Sequence, residues 1–113
     1  MTASTYPDIA SYGALVFSVG IHERFETDAD FGNDCNAAIG RFLRRDWGDT
    51  PGEDCECNQQ TIAAASEGSP GGTVMGSYTS RDGTKFWILC AGYGNHQKGA
   101  DYCNTTVLFP FEY

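Results

Sequence analysis

An α+β domain, with a mostly antiparallel sheet of about four strands and two helices packed on one face, is what three observations in this sequence predict. The first half carries a stretch with apolar residues at helical spacing. The second half carries three runs rich in β-branched and aromatic residues, two of them joined by an Arg-Asp-Gly turn. Strands grouped after helices, in the order β-α-α-β-β-β, indicate α+β architecture rather than an alternating parallel fold. At 113 residues the chain is one domain on the usual length prior. It is long enough to bury a core without metals or disulfides.

Residues 1–12 read as a polar, proline-containing arm with the character of a flexible leader. "GALVFSVG" (13–20) alternates Leu15, Phe17 and Val19 on one face, the pattern of a strand bounded by glycines. A helix is expected to begin near Asp28 or Asp30, where a carboxylate can cap free backbone N–H groups and favour the positive end of the helix dipole. Phe31, Cys35, Ala38, Ile39 and Phe42 then fall on one helical face. Arg41, Arg44 and Arg45 crowd its C-terminal end, and Gly48 in "DWGD" suits a left-handed stop. Thr50 as N-cap, Pro51 at the first helical position and Glu53 two residues later form a capping-box signature for a second helix over roughly 51–65. Cys55, Ile62 and Ala65 lie on its inner side. "SEGSPGG" (66–72) is a loop by composition. "TVMGSYTS" and "TKFWILCAG" flank "RDG" as a hairpin turning at Asp82-Gly83. A glycine-rich loop covers 92–104, and "TTVLFPFEY" is a last strand ended by Pro110.

Charge is the most informative part of the composition. The formal net charge is −8, and ten of the fifteen acids lie between Glu23 and Glu56, under a third of the chain. Such a chain repels nucleic acid and anionic lipid and attracts a basic protein, or one that normally holds nucleic acid. No apolar run approaches the eighteen or so residues of a membrane span. The N-terminus lacks the basic and apolar regions of a signal peptide, so a cytoplasmic location is expected. In that compartment the five cysteines are expected to be thiols rather than a disulfide framework.

Four chemistries can be weighed against blander explanations. Cys35, Cys55, Cys57, Cys90 and Cys103 with His22 and His96 could supply zinc ligands. However, Cys55-x-Cys57 has no second knuckle and would point its thiols to different sides of a helix. Small core residues explain Cys35 and Cys90 better, and no metal or cofactor is expected. Cys90 or Cys103 with His96 could form a nucleophile and base, but no family-specific cysteine-hydrolase signature surrounds either residue, and a non-enzymatic protein is the favoured reading. The pairs Asp46/Asp49 and Glu53/Asp54 lack the calcium-loop pattern, and capping with solvation explains each acid singly. The glycines of "GSPGG" and "GYGNHQKG" match neither phosphate-binding pattern. Trp47, in a polar turn among acids, either plugs the junction between helices, the favoured reading, or anchors a partner as binding hot-spot tryptophans do.

The segments "GALVFSVGI", "DWGD" with Asp54 and Asn58 following, "SY" before the hairpin, "KFWI" and the closing "TTVLFPFEY" resemble a family of small acidic proteins labelled plasmid-related protein. These occur on bacterial plasmids, prophages and integrative elements. The resemblance runs over about residues 13–113, with Asp46-Trp47-Gly48-Asp49, Thr105 to Pro110 and Glu112-Tyr113 as its most specific pieces. Phe111 departs from the Glu or Ser of the pattern, and loop 90–104 is enlarged. The family carries no active-site residues to transfer. A mobile-element setting implies a host-directed role, such as inhibition of an anti-viral CRISPR or restriction complex whose basic surfaces hold nucleic acid. On this reading Glu23, Glu26, Asp28, Asp30, Asp34, Asp46, Asp49, Glu53, Asp54 and Glu56 form one contact face, with Trp47 as an anchor. The alternatives are an accessory factor of plasmid maintenance or conjugation, and a cysteine-dependent enzyme.

Overall fold

The computed structural model describes residues 9–113. Most of the expected leader, residues 1–8, lies outside that range. Ile9–Tyr12 is not an arm: it forms a 3-10 turn whose Tyr12 is buried, packing on Phe42 at 5.2 Å and Tyr93 at 5.1 Å between ring centroids. Gly13 follows at φ +71, where a Cβ would lie 2.2 Å from the Cys103 carbonyl oxygen. Only glycine lets the chain pass this close to another backbone segment.

Strand β1 is Ala14–Phe17, shorter than the alternation in the sequence implies. Ser18 ends it. The Ser18 side chain accepts from the Ile21 N–H and so caps a helix, α1 (Val19–Thr27), which the acidic composition of this stretch conceals. Val19 is therefore a first-turn helical residue, 73% exposed, and not a strand residue facing the core. Among the described residues there are thus three α-helices rather than two.

Asp28 closes α1 and opens α2 (Ala29–Leu43). Its backbone N–H bonds the Arg24 carbonyl, and its carboxylate accepts from the Phe31 N–H at 3.0 Å. The apolar stripe of α2 behaves as its spacing implies: Phe31, Cys35, Ala38 and Phe42 are buried, with Ile39 partly so. The helix ends at Leu43, before Gly48, because Arg45 itself takes a left-handed conformation at φ +67. Helix α3 runs Gly52–Ser66. No capping box starts it. The Thr50 hydroxyl donates to the Trp47 carbonyl and accepts from the Ser77 N–H, so it is committed elsewhere, and no side chain caps α3.

The sheet has the order β1-β4-β3-β2, with β3 (Lys85–Ala91) antiparallel to both β2 (Thr73–Thr79) and β4 (Asn104–Leu108), and β1 parallel to β4. The Asp82-Gly83 turn joins β2 to β3, with Gly83 at φ +88. Alternation places Val74, Gly76 and Tyr78 of β2 and Phe86, Ile88 and Cys90 of β3 on the inner face, where the α2 stripe meets them in a single core. No helix among the described residues is long and apolar enough to cross a membrane.

The C-terminal turn is tied to α1 by one carboxylate. Glu112 accepts from the Ser18 hydroxyl at 2.6 Å, the Gly20 N–H at 3.0 Å and the Phe109 N–H at 2.8 Å. Burial pushes this carboxyl up, but the three donors outweigh it and hold it below the ordinary glutamate range. A depressed folded value contributes stability that is present above the unfolded value and lost as pH falls through the folded one. Glu112→Gln is therefore expected to cost about 1 kcal/mol at pH 7, the size of a lost cap. It should also flatten the acid limb of stability. Urea midpoints followed from neutral pH into the acid range check this, and an acid limb as steep as wild type would contradict it.

Candidate functional site

The acidic stretches meet along a groove between α2 and the tip of the β2–β3 hairpin. Asp28, Asp30 and Asp34 come from the first turns of α2, and the hairpin tip lays Arg81 across them. Arg81 reaches Asp34 at 2.9 Å and Asp30 at 3.4 Å, and its backbone N–H donates to Asp34 at 2.8 Å. Arg24 of α1 bridges Asp28 at 3.1 Å and Asp82 at 2.7 Å while its guanidinium covers the Phe31 ring at 4.7 Å. Further along, Arg41 pairs with Asp46 at 2.8 Å over the ring of Tyr78. Asp49 accepts from the Thr79 hydroxyl at 2.8 Å.

Three of the groove's carboxyls are held low by their donors. The Arg81 side chain and amide hold the Asp34 carboxyl below the ordinary range, and Arg41 with the Gly48 N–H does the same for Asp46. Asp82 is held down by the Ser80 and Thr84 hydroxyls and the Thr84 N–H. Six carboxylates (Asp28, Asp30, Asp34, Asp46, Asp49, Asp82) face three guanidiniums (Arg24, Arg41, Arg81). The surface is thus an acidic mosaic and not the bare acidic face that composition suggests. Two connected hollows of about 180 and 130 Å³ share Asp34 and Arg81. Both are smaller than the roughly 300–1,000 Å³ of small-molecule sites.

The remaining candidates divide by exposure. Glu53, Asp54 and Glu56 stand exposed on the first turns of α3, just after Asp49, and carry no ion pair among the described residues. Glu23 and Glu26 are exposed on α1, Glu26 beside His22 at 2.9 Å, and neither lines the groove. Trp47 is no surface anchor. It is 6% exposed and part of the core, so it plugs the junction between α2 and α3.

The "DWGD" segment with Asn58 has a structural task that its acids obscure. Strand β2 is an edge of the sheet, and this segment covers it. The Asp49 N–H donates to the Ser77 carbonyl, Thr50 accepts from the Ser77 N–H, and the Asn58 amide bonds both the N–H (3.0 Å) and the carbonyl (2.7 Å) of Met75. Gly48, at φ +62, lies so near Ser77 that a Cβ would come within 2.5 Å of its carbonyl. Covering an edge in this way removes a template for aggregation.

The thiols offer little reactivity. Cys90 is fully buried, its thiol pushed up to about 12 by burial, and it donates to the Tyr12 carbonyl. Cys103 is buried and donates to the Ser11 carbonyl. Nucleophilic cysteines need access as well as a thiolate, and both of these side chains are buried. Cys55 and Cys57 lie on α3, half-buried and exposed. No three His, Cys, Asp or Glu side chains among the described residues converge to hold a metal.

Sequence reasoning missed Arg24, Arg81, Asp82 and Thr79 as members of this surface. Asp82 reads as a turn residue, and nothing local in "SRDGT" says that the hairpin tip will land on α2. Compared with protein-family models, with curated proteins and with solved structures, the chain matches none.

Proposed function

We propose that this chain is a non-enzymatic protein-binding module that docks its acidic mosaic on a cationic protein surface. In the setting that the family resemblance implies, the partner is a host defence complex of CRISPR or restriction type, which the chain inhibits by occupying a surface made for nucleic acid. One observation carries the reading. A groove in which carboxylates outnumber guanidiniums two to one continues along the chain into the exposed Glu53, Asp54 and Glu56, which carry no ion pair among the described residues. Unpaired carboxylates beside a rigid paired frame speed encounter with a basic surface and fix its register. The small hollows and the buried Cys90 and Cys103 fit a binding surface better than a catalytic pocket.

Reversing Asp46 or Asp49 would also break the bonds to Arg41 and Thr79, so those positions confound folding with binding. The clean test is Glu53→Lys, Asp54→Lys and Glu56→Lys together. Tagged wild type should retain a basic partner from a nuclease-treated bacterial lysate and release it as salt rises. The triple variant should retain at least about tenfold less, from the loss of several rim charges, with unchanged thermal unfolding. Equal retention by the folded variant would refute the acidic docking surface.

A further inference from the structure

The outer face of the sheet, opposite α2, is apolar at its centre, and no α-helix among the described residues covers it. Alternation sends Met75 and Ser77 of β2, Trp87 and Leu89 of β3, Thr106 and Leu108 of β4, and Val16 of β1 to this side. Leu108 is buried, Val16 is 44% exposed, and Met75, Trp87, Leu89 and Thr106 are half-buried without joining the inner core. At one rim Tyr113, 80% exposed, sets its ring edge-on to Trp87 at 5.7 Å.

Charge sets this face apart from the rest of the molecule. The four strands contain no carboxylate and a single charged residue, Lys85, at the end of β3. In a chain of formal charge −8 this is a surface poor in acids: Lys85 shares it with Trp87 and Leu89, and Asp49 borders it where it accepts from the Thr79 hydroxyl. Two copies approaching elsewhere bring like charges together. Approaching here, they meet side chains that are neutral apart from Lys85, so like-charge repulsion is least on this side. A face without carboxylates on its strands is self-complementary under a two-fold axis, and sheets stack face to face about 10 Å apart.

We infer that a second copy of this chain docks on the outer sheet face, through Met75, Trp87, Leu89, Thr106 and Val16, to form a two-fold dimer. Four strands at about 4.8 Å spacing and about 3.3 Å per residue project roughly 350 Å² per copy. The two faces together bury about 700 Å² before side-chain relief and Tyr113 are added, below the roughly 1,000 Å² of a stable specific interface. The dimer is accordingly a weak, concentration-dependent one, and it presents two acidic grooves at once. It does not depend on what those grooves bind.

Sedimentation velocity of the full chain, from micromolar to submillimolar concentration, tests the inference. Wild type should show a roughly twofold rise in weight-average mass across the range, as a two-fold dimer requires. Leu89→Glu places like charges across the axis and should weaken association about tenfold or more. Thr106→Glu, at a half-buried polar position, serves the same purpose should Leu89→Glu fail to fold. The triple lysine variant of α3 should dimerise like wild type. A wild type that stays monomeric throughout overturns the inference. So does a dimer that folded Leu89→Glu and Thr106→Glu leave as tight as before, because the copies would then meet elsewhere.

Discussion

Phe31→Ala is expected to cost about 3–5 kcal/mol of stability, the range for emptying a buried phenylalanine site. Phe31 is 2% exposed and stands where four parts of the chain meet. Its ring packs on Phe25 of α1 at 6.4 Å, Phe86 of β3 at 5.6 Å and Phe109 before the C-terminal turn at 5.7 Å. The same ring carries the Arg24 guanidinium, which in turn holds Asp28 and Asp82. Truncation should therefore loosen the groove as well as the core. Against a typical domain stability of about 5–15 kcal/mol this is a large fraction, and the melting temperature should fall by roughly 12 °C or more. Phe31→Leu, which keeps most of the volume, should lose much less. Urea unfolding of both variants checks the pair. A loss below about 1 kcal/mol for the alanine variant would mean that the site collapses without a cavity.

Asn58→Ala should cost roughly 2–4 kcal/mol, because it strips partners from two backbone groups at once. Asn58 is 2% exposed, and its amide satisfies both the N–H and the carbonyl of Met75 on the edge strand. Asn58→Asp separates bonding from packing. Its ionised carboxylate could accept from the Met75 N–H but would face the Met75 carbonyl with a second acceptor. Protonation restores a donor, so burial and this carbonyl both raise the folded pKa of the introduced acid. A raised folded value gives stability that is full below the unfolded value and lost as pH rises through the folded one. Asn58→Asp should thus approach wild type as pH falls to about 4, near the ordinary Asp value. Asn58→Ala should not. Denaturant midpoints at both pH values, with hydrogen exchange at the Met75 amide, read this directly. An Asn58→Asp variant that tracked Asn58→Ala at every pH would show that the side chain only fills space.

Particular residues show how far the chain could be read without coordinates. The α2 stripe from Phe31 to Phe42 and the Asp82-Gly83 hairpin were legible because each depends on interactions within a few residues: one helical face, one tight turn. Asp28 was legible as a cap for the same reason. Helix α1 was not, since "HERFETDAD" has few apolar positions and owes its start to Ser18 and to Glu112, ninety-four residues from Ser18. The capping box at Thr50 failed because the hydroxyl had a stronger claim on it from Ser77, twenty-seven residues away. Of the candidate site, the acids were visible, but their arginine partners Arg24 and Arg81 were not.

Sequence alone therefore determined the α+β class, the inward stripes of α2, β2 and β3, and the excess of negative charge. These follow from side-chain period and composition, which are local or additive properties. Tertiary structure decided how the hairpin tip lies on α2, turning clustered acids into a mosaic of pairs. It also decided that "DWGD" and Asn58 cover a sheet edge, and that one sheet face carries no α-helix among the described residues. Those outcomes rest on hydrogen bonds and ion pairs between residues far apart in the chain, and such partners are chosen by packing geometry rather than by spacing.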